Sequence, residues 1–212
     1  MKHNSSIRQE ALAAMRGKWL NGITVLVVYL LLMVILSVFL RVDTAEFNPS
    51  RFILVQFTSI LVTIVIGFPL QLGFYKTFLT AVRTDNKPQV KELFSGLTRR
   101  YHRSAMGTLL LMNIYTLLWT LLLIVPGIIK SIEYAMTYFV IADEPELGCN
   151  EAIEKSMAMM RGHRWQFFKM WLGMFGWMLL GVFTLGVAYL WIIPYYQAVF
   201  AKFYLELKEQ AE

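Results

Sequence analysis

Lys130 and Glu133 are the most suggestive chemical pair in this sequence. They stand three apart, a spacing that brings two side chains together on one helix face. A Pro126-Gly127 break lies just before them in otherwise apolar sequence. Ionisable residues in such surroundings can mark an ion or substrate site. The plainer reading, which we favour, is a pair at the outer interface whose lysine reaches the headgroups. Asp143, Glu144 and Glu146 form a second group. It would suit a cation or a polar headgroup, but a DEPE turn is more often a solvated helix end. The third group is basic: Arg99, Arg100, Arg103, Arg161 and Arg164, interleaved with Tyr101, Trp165, Phe167 and Phe168. Such a belt anchors helices at the inner interface and attracts anionic lipid, at about 1 kcal/mol per basic residue near the surface. The candidate headgroup-binding residues are therefore Arg99, Arg100, Arg103, Arg161, Arg164 and Trp165.

Other chemistry finds little footing. His3, His102 and His163 lie in separate basic segments without metal-ligand spacing to Cys, Asp or Glu. Cys149 sits in a polar stretch with no histidine beside it in sequence, a poor setting for a nucleophile. There is no phosphate-cradling glycine loop; Gly173, Gly176, Gly181 and Gly186 fall in an apolar run and suit close helix packing. No catalytic residue, metal or cofactor is expected. Gln56, Thr63, Gln71, Asn113, Thr116 and Gln197 interrupt apolar runs. They could line a path, but such residues more often hydrogen-bond between helices.

The elements that must carry these groups are membrane-like. The 212 residues are 57% hydrophobic and only 16% charged, against about a quarter charged in an ordinary soluble domain. That deficit and the long uncharged runs indicate one polytopic membrane domain of all-α class. The net charge of +6 comes from residues flanking apolar runs, which suits membrane orientation and not nucleic acid. One cysteine excludes an internal disulfide. The first apolar run is too long for a cleavable signal and reads as a retained anchor.

Residues 4–18 predict an amphipathic helix on the inner membrane surface, with Ser6 and Gln9 at capping-box spacing and Ile7, Ala11 and Met15 on one face. Trp19 to Leu40 is long enough to cross, and a loop from Arg41 to Arg51 leads to a second run, Phe52 to Tyr75. Gly67, Pro69 and Gly73 predict a kink there, with helix continuing to Arg83. Pro88 suits the first turn of a short basic helix with Val90, Leu93, Phe94 and Leu97 as its apolar face. Ser104 to Ile129 is a third run. Gly127 to Ala142 measures about 24 Å as helix, enough for a short crossing. Asn150 would cap a helix whose Ile153, Met157 and Met160 share a face. Met170 to Ala201 would measure about 48 Å unbroken, so a break at Thr184-Leu185-Gly186 is expected. Six crossings with both termini inside leave only Arg41, Arg51 and Lys130 outside, as the positive-inside rule favours.

MRGKW (15–19) returns as MRGHRW (160–165), each after an amphipathic helix and before a membrane run. With the prolines of the second crossings, this suggests three degenerate repeats, 4–83, 88–142 and 150–207. Each would be a surface helix followed by a helical hairpin. The run from PGIIK (126–130) through ADEPEL (142–147), NEAIEKSMAMMRG (150–162) and Trp165 resembles domain-of-unknown-function family 975, an uncharacterised bacterial membrane family. So do LLGVFTLGVAYLWIIPY (179–195) and AKFYLEL (201–207). A more distant similarity is to the membrane domain attached to some glycerophosphodiester phosphodiesterases, whose catalytic barrel is absent here. The resemblance implies a multi-pass protein of a bacterial cytoplasmic membrane and supplies no reaction. The residues then favour a non-enzymatic module that binds anionic lipids or a membrane protein partner at its inner face, with no nucleic acid and with its homo-oligomeric state open. A small-molecule or ion transporter or channel is the alternative, and an intramembrane enzyme is the weakest reading.

Overall fold

The computed structural model describes residues 2–39 and 49–211, which are helical nearly throughout and contain no strand. The helices are α1 (Asn4–Met15), α2 (Trp19–Phe39), α3 (Pro49–Val62), α4 (Phe68–Thr84), α5 (Val90–Leu93), α6 (Arg99–Leu122), α7 (Ile124–Tyr134), α8 (Thr137–Asp143), α9 (Cys149–Met160), α10 (Arg164–Phe183) and α11 (Tyr189–Ala211). The expected outer loop with Arg41, Asp43 and Glu46 lies outside the described residues.

Five described stretches are long and apolar enough to cross a membrane: Trp19–Val38, Phe52–Thr84, Arg99–Leu122, Ile124–Asp143 and Arg164–Phe183. The chain is thus an all-helical, multi-pass membrane protein. Helix α11 is not among the five, because tyrosines, Gln197, Lys202 and Glu206 dilute its apolar residues. It needs less hydropathy because it runs through the protein interior, burying Ala198, Val199, Ala201, Phe203, Tyr204 and Leu207.

Around α11 the inner helices α4 and α8 close the core. Their aromatic rings interlock: Tyr75 stacks on Tyr138 at 4.4 Å between centroids, and Phe139 on Tyr204 at 5.7 Å. The shorter segments lie on these helices: α1 on α11, α5 and the 3₁₀ turn Phe94–Leu97 on α4, and α9 on α8. Glycine makes the second of these contacts close. A Cβ at Gly73 would stand 1.8 Å from the Leu93 carbonyl oxygen, and one at Gly96 1.8 Å from that of Pro69.

Several local expectations need correction. The apolar face of α1 does not lie on lipid. Ile7, Ala11 and Met15 are buried in the protein, because α11 offers them an apolar partner. The cap of α1 is His3, whose side chain accepts from the Ser5 N–H, so the helix starts ahead of the Ser6–Gln9 spacing. Pro88 precedes the cap residue Gln89 and so falls outside α5, while Phe94 and Leu97 are exposed. The third run breaks at Leu123, whose φ of −160° and ψ of 138° are extended. Pro126 then falls within the first turn of α7, where its missing N–H costs nothing. The return segment is accordingly longer than Gly127 to Ala142.

Other expectations hold. The kink before Pro69 is a π-helical turn over Thr63–Gly67, and helix continues to Thr84. The break at 184–186 is present, with Leu185 and Gly186 at φ 51° and 91°. There Tyr189 Oη donates to the Met178 carbonyl at 3.0 Å, over Gly181, where a Cβ would strike its ring. The two MRG segments share one turn. Arg16 and Arg161 both have ψ 127°, Gly17 and Gly162 have φ 71° and 81°, and the fourth residue's N–H returns to the methionine carbonyl at 3.0 and 3.1 Å. This is a type II turn, which needs glycine at its third position.

Candidate functional site

Helix α7 places Lys130 and Glu133 one turn apart, and Lys130 Nζ donates to Glu133 Oε2 at 2.7 Å. The other carboxylate oxygen is taken from a distant part of the chain. The second type II turn starts α10 at Arg164, whose Nη2 lies 2.7 Å from Glu133 Oε1. Ser156 of α9 donates to the Glu133 backbone carbonyl at 2.7 Å, and the Lys130 ammonium sits over the Trp119 ring, 5.5 Å from its centroid. Lys130 therefore stands at the same end of the molecule as Arg164. This contradicts the reading that put one outside and the other inside. Charge-pattern reasoning could not see a partner 31 positions away, whereas a carboxylate only 4% exposed requires one.

Two cations on one carboxylate leave a local excess of positive charge. Arg161 is exposed beside the turn, and Lys169 lies over the exposed Trp165 ring, which stacks on Phe168. The basic belt divides between two anchors. Arg100 Nε is held by Glu146 at 3.0 Å, and Arg164 by Glu133. Arg99, Arg103 and Arg161 are exposed, and no ion pair among the described residues engages them.

Each acid of the turn is paired, but only Asp143 is buried, and Glu146 stays solvated as expected of a helix end. Asp143 accepts from Arg83 at 2.6 Å, Lys208 at 2.8 Å and Tyr204 Oη at 3.0 Å, joining α4, α8 and α11. Glu144 accepts from Lys155 of α9 at 2.6 Å. The bond to Asp143 raises the Lys208 ammonium above its ordinary value. Burial first, then the Asp143 charge, pushes the Tyr204 phenol up, so it remains a donor. At the α1–α2 turn, the Lys18 ammonium holds the Asp85 carboxyl below the usual carboxylate range.

Thr63, Asn113 and Thr116 do not bond between helices; each donates to the carbonyl four residues earlier on its own helix. Gln71 and Gln197 do bond between helices, to Tyr138 and Tyr75, while the Gln197 Oε1 is buried without a partner among the described residues. Gln197 lines a cavity of about 770 Å³ between α7–α8 and α10–α11, whose walls are mostly apolar and aromatic. Among the described residues, no three His, Cys, Asp or Glu side chains gather as metal ligands.

A family model described as "protein of unknown function (DUF975)" matches residues 1–133 and 121–211, two overlapping stretches that together span nearly the whole chain. The chain belongs to that family. Neither a curated protein nor a solved structure matches it.

Membership in DUF975 brings no assigned reaction, so the geometry has to carry the functional argument. Sequence reasoning missed the Arg164–Glu133 contact, the Asp143 junction and the cavity. Only the cavity left a readable trace. Phe167, Trp171, Met174 and Met178 recur at i, i+4, i+7 and i+11, a stripe down one face of α10.

Proposed function

We propose that this DUF975 protein is a non-enzymatic module of a bacterial cytoplasmic membrane that holds anionic lipid headgroups at its inner face, with both termini inside. The observation that carries this reading is the set of exposed arginines, Arg99, Arg103 and Arg161, which no ion pair among the described residues engages. The bare guanidinium of Arg161, four residues before the exposed Trp165, suits a phosphate-bearing surface, as do those of Arg99 and Arg103 at the start of α6. A protein partner with an acidic inner-face segment would use the same groups. The unpartnered Gln197 oxygen in the cavity favours a second reading, passage or capture of a polar small molecule.

The topology we propose has three hairpins of unequal depth, built from three related units as the shared type II turns suggest. The middle hairpin, α6–α7, ends within the bilayer. With Glu133 at the inner boundary, α7 rises about 14 Å to Ile124, half the hydrocarbon thickness of about 30 Å, and the first part of the 24-residue α6, with Arg99 and Arg103, stands below the hydrocarbon. Helix α9 supports the same depth. It packs on α6 with Asn150, Glu151 and Glu154 exposed, and Tyr115 Oη donates to Asn150 at 3.2 Å. Carboxylates at that level belong in water or among headgroups.

Native mass spectrometry of the protein released from nanodiscs tests the headgroup reading. Phosphatidylglycerol or cardiolipin should stay bound in excess of its bulk share. That excess should fall when Arg99, Arg103 and Arg161 are changed to Gln. Lipid in bulk proportion would redirect the site to a protein partner, and a retained non-lipid molecule would favour transport.

A further inference from the structure

The cavity between α7–α8 and α10–α11 lies against the Lys130–Glu133–Arg164 cluster. Ser131 and Ile132, which line it, lie between the two charged residues of α7 in the chain. On α10, Phe167 and Phe168 line it one turn after Arg164. Deeper in, Met174, Met178 and Ile192 continue an apolar wall, and its volume of about 770 Å³ falls within the ordinary range of about 300–1,000 Å³ for ligand sites. We infer that this cavity takes one acyl chain of an anionic membrane phospholipid whose headgroup rests on Arg164 and Lys130.

Three features join in that assignment. The walls are apolar and aromatic, with Met136, Met174 and Met178 among them to conform to a flexible chain. The flanking helices are membrane-compatible, so a chain can enter from the surrounding leaflet without crossing water. The charges nearby are two cations to one carboxylate, complementary to a single phosphate. Arg164 is 46% exposed at its side chain, so part of its five-donor guanidinium is open to a phosphate.

This inference rests on the anionic-headgroup reading, and the test separates the two. The full chain is placed in nanodiscs containing either phosphatidylglycerol or phosphatidylcholine, each with the same diazirine-bearing tail, then irradiated and mapped by mass spectrometry. The expected adducts fall on Ile132, Met174 and Ile192, with phosphatidylglycerol favoured roughly thirtyfold, as two basic residues facing the headgroup would give. Met174→Trp, which fills the slot, should reduce those adducts several-fold while adducts on the outward-facing Leu172 and Phe175 persist. Adducts confined to Leu172 and Phe175 would overturn the cavity assignment, even with phosphatidylglycerol still preferred. Cavity adducts of equal yield from both lipids would overturn the headgroup assignment together with the reading beneath it.

Discussion

Replacing Lys130 and Arg164 together by Gln should lower the unfolding free energy by about 3–5 kcal/mol, the cost of leaving a buried carboxylate without compensation. Glu133 is only 4% exposed, and both of its oxygens are taken by these two cations. Either single substitution leaves one partner in place and should cost much less than half of the double, so the pair is strongly non-additive. Glu133→Gln is the milder change, because Arg164 is half exposed and can take up water instead. Adding Glu133→Gln to the double variant should then recover much of the loss. Equilibrium unfolding in mixed micelles titrated with sodium dodecyl sulfate measures all five proteins. Additive losses would show that the three groups do not act as a unit.

Asp143→Ala should be the most damaging single substitution, at about 3 kcal/mol or more. It removes the acceptor of three donors and strands the buried Tyr204 hydroxyl, a group whose desolvation alone costs about 1–3 kcal/mol. Helices α4, α8 and α11 meet at this carboxylate, so its loss should loosen the packing of all three. Tyr204→Phe is the informative control. It leaves Asp143 with both cations and should cost only about 1 kcal/mol. The same micelle titration checks the order. Equal losses from the two variants would mean that the tyrosine hydrogen bond, and not the carboxylate junction, holds the three helices.

How much of this was legible beforehand depends on range along the chain. The apolar runs and the break at 184–186 are set by residues within one or two helical turns and are present, and a π-helical turn lies where a kink was expected before Pro69. So is the i, i+3 contact of Lys130 with Glu133. What eluded the sequence is tertiary. Arg164 reaches Glu133, and Arg83 and Lys208 reach Asp143, across separations that no local pattern encodes. The face of α1 shows the limit most clearly. Ile7, Ala11 and Met15 make an amphipathic stripe equally suited to lipid or to protein, and only the position of α11 decides between them. Helix caps failed for a related reason. Gly148, not Asn150, caps α9, because the Glu151 carboxylate accepts from the Gly148 N–H at 2.9 Å while Asn150 turns to Tyr115.

The depth of the middle hairpin is the most direct test of the account. In a Cys149→Ser background, single cysteines at Ser37, Leu123 and Leu185 would be challenged with a membrane-impermeant maleimide from each face of the membrane. Ser37→Cys and Leu185→Cys should react from the outer face, and Leu123→Cys from neither. Labelling of Leu123→Cys from outside, as readily as Leu185→Cys, would contradict the account, since the hairpin would then cross in full.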